Sequence, residues 1–311
     1  MQKRLALCIR AQANIWNSTV NCRPILQTLQ IHCKRTDGTI IKLRDILVIT
    51  DMDNTLLTAA QGIPQCNLAS IELFCKRGGR FTVASGRTVE SVGHYLDKLT
   101  LSVPAITCGG GVLYDYNAKR VLQSFVLPKE VATQALLEIQ NAFPHIGIEI
   151  MAENGRIYVI RGNQYTYEHT LHEHLHYTVS RLSDIAVGWN KVLFACDNDT
   201  LLQIKAFVEK RVYAGVTFLA TNTIYFEMMP VGVTKGTALV ALCNYLQISR
   251  YNTVVIGDYY NDIDLMQAAG YAVAMQNAPP EVKAIANEVT DTCLNGGVGQ
   301  FLYRLMKQYS E

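Results

Sequence analysis

No apolar run in this sequence approaches the length of a membrane span, so no spanning helix is expected. A strong charge of one sign is also missing. The net charge is +2, which argues against a dedicated nucleic-acid binder. Charged residues make up only 17% against 49% hydrophobic, which excludes a disordered chain and fits a globular one. The nine cysteines, scattered from Cys8 to Cys293, contain no CxxC pair. They read as reduced thiols of a cytoplasmic protein better than as a disulfide framework. Internal repeats and low-complexity tracts are lacking as well. Acids are absent before Asp37, where Lys3, Arg4, Arg10, Arg23, Lys34 and Arg35 stand. The apolar stretch Leu5 to Ile9 is too short for a secretory signal and is cut off by Arg10. An Arg-rich, acid-poor leader has the composition of a transit peptide, but an accessory extension is the expectation. Residues 1–43 are therefore set apart as an N-terminal extension of unknown role.

What is present begins with Asp51-Met52-Asp53-Asn54-Thr55. It follows Ile46-Leu47-Val48-Ile49, a run with the length and branching of a buried strand. Alternation along a strand sends Asp51 and Asp53 to the same side. Two acids at the carboxyl end of a buried parallel strand are costly unless they bind a cation or do chemistry. Taken alone, the segment also reads as an Asx-rich turn.

At 311 residues the chain has room for two domains. A helix is expected from Asn67 to Lys76, stopped at Gly78-Gly79. A strand over Arg80 to Ala84 ends in Ser85-Gly86-Arg87-Thr88. Thr88 caps a helix to about Leu99, and Pro104 to Thr107 forms a third strand. This βαβ series implies a parallel sheet. The pattern then changes. Val121 to Leu127 alternates, Lys129 to Phe143 is an amphipathic helix, and strands at Ile146 to Ile150 and Arg156 to Ile160 flank a hairpin turn at Glu153-Asn154-Gly155. Further strands at Lys191, Val216 and Ile224, and a helix near Thr200 to Arg211, complete an α+β insert. The first pattern returns with a helix from Thr234, a strand Thr253 to Ile256, a helix Asp262 to Ala269 and a strand Tyr271 to Ala274. The fold class is α/β, a Rossmann-like parallel-sheet core over residues 44–126 and 230–311 with an inserted α+β domain over 127–229.

Three more sites fall where a core strand meets a helix. The Ser85 hydroxyl and nearby N–H groups suit an oxyanion. Lys235, in Gly232-Val233-Thr234-Lys235-Gly236, stands in the first turn of a helix, where a cation opposes the macrodipole. That placement makes sense if lysine and helix terminus face one bound anion. Asp258, in Gly257-Asp258-Tyr259-Tyr260-Asn261-Asp262, adds a third carboxylate to the same sheet edge. Three such groups repel without a cation, and oxygen ligands suit Mg²⁺. A nucleophile, an acid, a serine, a lysine and a metal site are the equipment for phosphoryl transfer through an aspartyl phosphate.

These four segments resemble the motifs of the haloacid-dehalogenase-like (HAD) hydrolases, specifically the Cof-like phosphatases with an α/β cap. The tail Ala274-Met275-Gln276-Asn277-Ala278 is similar too, and the likeness runs from about Leu43 to the C-terminus. The resemblance implies a phosphatase for a small phosphorylated metabolite, a sugar phosphate or phosphorylated cofactor. It implies no nucleic-acid or membrane partner, and it leaves the oligomeric state open. By it, Asp51 attacks phosphorus, and Asp53 protonates the leaving oxygen and then activates water. Ser85 and Lys235 hold phosphoryl oxygens. Mg²⁺ is held by the Asp51 side chain, the Asp53 carbonyl and Asp258, with Asp262 acting through water or the lysine. Thr55, Gly86 and Asn261 join the phosphate site, and Arg87 reaches the substrate or the cap. A phosphomutase and a catalytically silent ligand-binding protein are the alternatives. Asn54 replaces a usual glycine, and Cys108 an asparagine common in the subgroup.

His172-Glu173-His174-Leu175-His176 matches HExxH. With Tyr167, Leu171 and Leu175 spaced by four, a helix would put His169, His172 and His176 on one face. No third zinc ligand follows, so the segment reads as a polar helix face over the active site.

Overall fold

The computed structural model describes residues 41–58 and 60–309. The basic leader up to residue 40 lies outside the described residues. Strand β1 (Leu47–Thr50) leads to helix α1 (Gln65–Lys76), β2 (Arg80–Val83) and the short helix α2 (Val89–Gly93). Thr88 caps α2 as expected, accepting from the Ser91 N–H at 3.2 Å. The helix stops at Gly93 and continues to Leu99 only as hydrogen-bonded turns, shorter than the spacing suggested.

Strand β3 (Ala105–Thr107) departs from the expected parallel series. It touches the core sheet through one parallel bridge, Ala84 to Ile106. The rest of its pairing is antiparallel, to β4 (Val112–Asp115), which pairs with β5 (Arg120–Ser124). The reversal at Gly109 and Gly110, both with positive φ, folds β4 back onto β3 and draws it off the core sheet.

The middle of the chain carries α3 (Lys129–Ala142), β6 (Gly147–Ala152), β7 (Ile157–Arg161), α4 (Gln164–His172), β8 (Tyr177–Val179), β9 (Trp189–Ala195), α5 (Asn198–Val208), β10 (Val216–Ala220) and β11 (Tyr225–Pro230). Its six strands form one sheet in the order β10-β11-β9-β6-β7-β8. All pairs are antiparallel except β7 with β8. A separate apolar cluster built on Trp189, Phe194, Phe226, Ile148 and Leu136 fills the space between this sheet and its helices.

The chain returns through α6 (Lys235–Leu246), β12 (Thr253–Gly257), α7 (Ile263–Ala268), β13 (Tyr271–Met275), α8 (Pro280–Ile285), β14 (Glu288–Thr290) and α9 (Gly297–Gln308). The sequence reading stopped at β13, so α8, β14 and α9 are additions. The core sheet is wholly parallel, in the order β14-β13-β12-β1-β2. Alternation on β1 sends Val48 to a cluster with Phe74 and Phe301, and Leu47 and Ile49 to one with Leu239 and Leu265. Helices thus cover both faces, as a buried parallel sheet requires. Ile41 and Leu43, on the extension side of the boundary expected after residue 43, are buried in the first cluster. Among the described residues no helix is long and apolar enough to cross a membrane.

Candidate active site

Thr50 is level with Ile256 on β12 and Val83 on β2, so the chain leaves the sheet at its carboxyl edge with Asp51 next. The Asp51 N–H still donates to the Ile256 carbonyl at 2.9 Å, which fixes where the acid emerges. Asn54 then adopts a left-handed φ of 59°, a conformation that asparagine tolerates in place of glycine.

Lys235 begins α6. Thr234 caps that helix and exchanges hydrogen bonds with Thr237. The ammonium is buried between two carboxylates, 2.6 Å from Asp51 Oδ1 and 2.7 Å from Asp262 Oδ1. Burial opposes its charge, but the two acids outweigh that and raise its pKa. Asp51 is also raised, mainly by burial, with Lys235 pulling the other way. Asp258 accepts from the Thr55 hydroxyl at 2.7 Å and is pushed up to about 7, again chiefly by burial. Asp51, Asp258 and Asp262 bring carboxylate oxygens within 4.8 Å of one another. One ammonium does not balance three such acids, and an all-oxygen donor set of this kind fits a hard divalent cation.

Asp262 is more tightly committed than the sequence suggested. Besides Lys235 on Oδ1, its Oδ2 accepts from the N–H groups of Asp258 (3.1 Å) and Tyr259 (3.3 Å). It therefore holds both the lysine and the loop carrying Asp258. Gly257 makes room for it, because a Cβ there would lie 2.7 Å from Asp262 Oδ2.

Asp53 sits in a different environment. Its side chain is 49% exposed, against 8% for Asp51. Arg87 grips it with a fork, Nε to Oδ2 at 2.9 Å and Nη2 to Oδ1 at 2.8 Å, and gives a third bond to Ser91 Oγ. Arg87 is thus turned onto Asp53. Ser85 is buried, and its Oγ accepts from the Arg87 N–H at 3.1 Å. The Ser85–Arg87 loop is braced from behind, where the Cys108 N–H donates to Arg87 O and the Gly109 N–H to Ser85 O. Cys108 itself is buried with a φ of 52°, and burial pushes its thiol up to about 11. It shapes the backbone behind the site and does not line the cavity.

A cavity of ≈ 440 Å³ opens above these groups. Asp51, Asp53, Gly86, Arg87, Asp258 and Asn261 line its floor. His169, Glu173, Lys191, Tyr225 and Glu227, all from the six-stranded sheet and its helix, form the roof. Ser85, Thr55 and Lys235 are buried and do not contribute to the lining. Asn261 reaches the cavity, while the bonds of Lys235 go to Asp51 and Asp262. Lys191 ties roof to floor, donating to Gly86 O at 3.0 Å and to Glu227 Oε1 at 2.8 Å.

Sequence reasoning missed two groups. Asn277 donates to the Asn54 carbonyl at 3.0 Å and lies 3.4 Å from Asp258 Oδ2. The signal was its place in the tail just after β13. The other is the cluster of the buried Glu149 with the partly exposed His169 and Glu173. Glu173 was visible only inside HExxH, and that pattern does not form a helical face here. Helix α4 ends at His172, and His174 turns left-handed with a φ of 54°. The His174 N–H donates to Leu171 O and the Leu175 N–H to Thr170 O, which closes the helix in a Schellman motif. His176 lies beyond it on the surface, paired with Glu90 of α2.

The model of a family described as haloacid dehalogenase-like hydrolases matches residues 48–302. Pyridoxal phosphate phosphatase YbhA of Escherichia coli (strain K12) is 30% identical over 268 residues, covering 83% of this chain and 97% of that protein. An HMP-PP phosphatase of Serratia proteamaculans (strain 568) is 26% identical over 279 residues, covering 84% and 95%. Among solved structures, a haloacid dehalogenase-like hydrolase from Bacteroides thetaiotaomicron superposes with a TM-score of 0.76 at 24% identity, over 84% of this chain and 99% of that one. TM0651 from Thermotoga maritima gives 0.73 at 26% identity, over 83% and 97%.

Proposed function

This chain belongs to the haloacid dehalogenase-like hydrolases and is a phosphatase of that family, and we propose that it hydrolyses monoesters of small phosphorylated metabolites through an aspartyl phosphate on Asp51. The observation that carries the reading is Asp51 itself, buried at the sheet edge with Lys235 on one oxygen and Asp53 close in sequence but in a more open, Arg87-gripped setting. Different environments suit the two acids to different tasks.

The Asp51 oxygen not held by Lys235 attacks phosphorus, and the bond to the leaving alkoxide breaks. Asp53 gives that alkoxide its proton. It then takes a proton from the water that attacks phosphorus, and the bond to Asp51 breaks to release phosphate. Arg87 aims Asp53 through its fork, which holds the carboxylate in place for the second step. The same fork must loosen for the first. Once the ester is bound, Lys235 and Ser85, which lie just behind the cavity wall in this structure, turn to hold the phosphoryl oxygens, with Thr55 fixing Asp258 and Asn261 facing the substrate from the floor. We infer Mg²⁺ as the resident cation, held by Asp51, Asp258 and the Asp53 carbonyl. When bound, it offsets charge on the phosphoryl group and on the acids.

Residues 127–229 act, in this account, as a cap that sets specificity. A cavity of ≈ 440 Å³ suits a sugar phosphate or a phosphorylated cofactor such as pyridoxal phosphate, the substrate named for one relative. Cys75, Cys108, Cys196, Cys243 and Cys293 are free thiols, which supports a cytoplasmic setting. Phosphate release from p-nitrophenyl phosphate tests the function. Release with Mg²⁺ and its loss on chelation are expected. Wild-type protein that releases no phosphate with any divalent cation would overturn it.

A further inference from the structure

The roof of the cavity carries charges that hydrolysis does not use. His169 lies between two carboxylates, with Nδ1 2.8 Å from Glu149 Oε2 and Nε2 3.5 Å from Glu173 Oε1. Satisfying both requires a proton on each ring nitrogen, so the ring is an imidazolium. Glu149 is fully buried behind it and sets its orientation. Glu173 stands in front, on the cavity lining. One oxygen of each glutamate, Glu149 Oε1 and Glu173 Oε2, is buried without a hydrogen-bond partner. A buried carboxylate oxygen left without a donor costs free energy, and of the two glutamates only Glu173 belongs to the cavity lining, where a bound substrate can supply a donor.

Charge balance narrows what the donor is. Of the basic side chains lining this cavity among the described residues, Arg87, His169 and Lys191 are each already paired with a carboxylate, and His172 is the fourth. A second anionic group on the substrate would face Glu173 and Glu227. The Tyr225 ring, 5.2 Å from the His169 ring, adds an aromatic wall that favours a cation or a flat ring.

We propose that Glu173 Oε2 accepts a hydrogen bond from the leaving group, and that the substrates are phosphate esters of alcohols bearing an amine or ring N–H. This inference rests on the phosphatase reading of the core site. It makes Glu173 a specificity-determining residue that selects against a second anion.

Three esters on related frames test it: glucosamine 6-phosphate, glucose 6-phosphate and 6-phosphogluconate, compared at pH 7. The expected order of kcat/KM is amine, then hydroxyl, then carboxylate. The amine should lead the carboxylate by about tenfold or more, the scale of one charge-assisted hydrogen bond. In Glu173→Gln the amine-to-hydroxyl ratio should fall toward one. A flat series in the wild type, or one led by the carboxylate, overturns the proposal, and that readout does not depend on the variant folding. p-Nitrophenyl phosphate separates the two ideas. If it is hydrolysed while the series is flat, only this inference fails. If it is not hydrolysed, the phosphatase reading fails and takes this one with it.

Discussion

At the scale of single residues, the site sorts its ionisable groups by what surrounds them. Burial disfavours charge on His169, but Glu149 and Glu173 outweigh it and raise the imidazole to about 10. Burial also works against the Glu173 carboxylate, but His169, Arg87 and Lys191 draw it down to about 2. These shifts have signs that stability must follow. A histidine raised above its unfolded value of 6.5 contributes fully below that pH and loses the contribution as pH climbs through about 10. A glutamate lowered from 4.5 contributes fully above that pH and loses it as pH falls through about 2. The stabilisation from this pair should therefore be greatest between pH 4.5 and 6.5. Melting curves of wild type and His169→Gln check this. The gap in Tm should be widest in that window and close toward pH 10, whereas a gap that widens with rising pH would contradict the assignment. Asp51, Asp53, Ser85, Lys235 and Asp258 were legible as single residues, because each follows an apolar strand or opens a helix. Asn277 was legible only as part of the tail after β13, and Glu149 was not legible, because their partners lie far along the chain and the local pattern of each is that of an ordinary loop or strand.

At the scale of elements, close backbone approach decides which pieces can hold the site. Gly110 has a φ of 104°, and a Cβ there would fall 2.2 Å from the Thr234 carbonyl. The loop after β3 therefore presses directly on the start of α6, where Lys235 stands. Gly110→Ala should cost about 2–4 kcal/mol through clash and left-handed strain together. It should also lower kcat by displacing the lysine. Gly62→Ala is the control, since Gly62 shares a positive φ of 65° but meets nothing within 4 Å. Equal losses in the two variants, measured by urea unfolding, would remove the packing argument. Strand β1 and strand β12 were clear from their apolar runs. The early end of α4 was not, because histidine, a residue with no strong stop signal, takes the left-handed position that glycine usually fills. Helix α9 lies beyond β13, the last apolar run that the sequence pattern marks, although Phe301, Leu302 and Leu305 bury one face against the core.

At the scale of the whole molecule, the break in periodicity after β5 marked an α+β insert, and the six-stranded sheet stands there with its own apolar cluster. Its docking over the core depends on contacts that no local pattern encodes. Lys191 reaches Gly86, His176 pairs with Glu90, and His94 Nε2 lies 3.0 Å from the His174 carbonyl. These bonds bring Glu173 and Tyr225 into the lining of the cavity that Asp51 also lines. The roles assigned to the floor and roof of that cavity depend on Asp51 carrying the phosphoryl group. Acid quenching of wild-type protein during turnover of a ³²P-labelled ester tests that most directly. The account predicts a hydroxylamine-labile label on the peptide containing Asp51, absent from a folded Asp51→Asn protein that no longer releases phosphate. Label on another residue, or Asp51→Asn protein that releases phosphate at the wild-type rate, would contradict it.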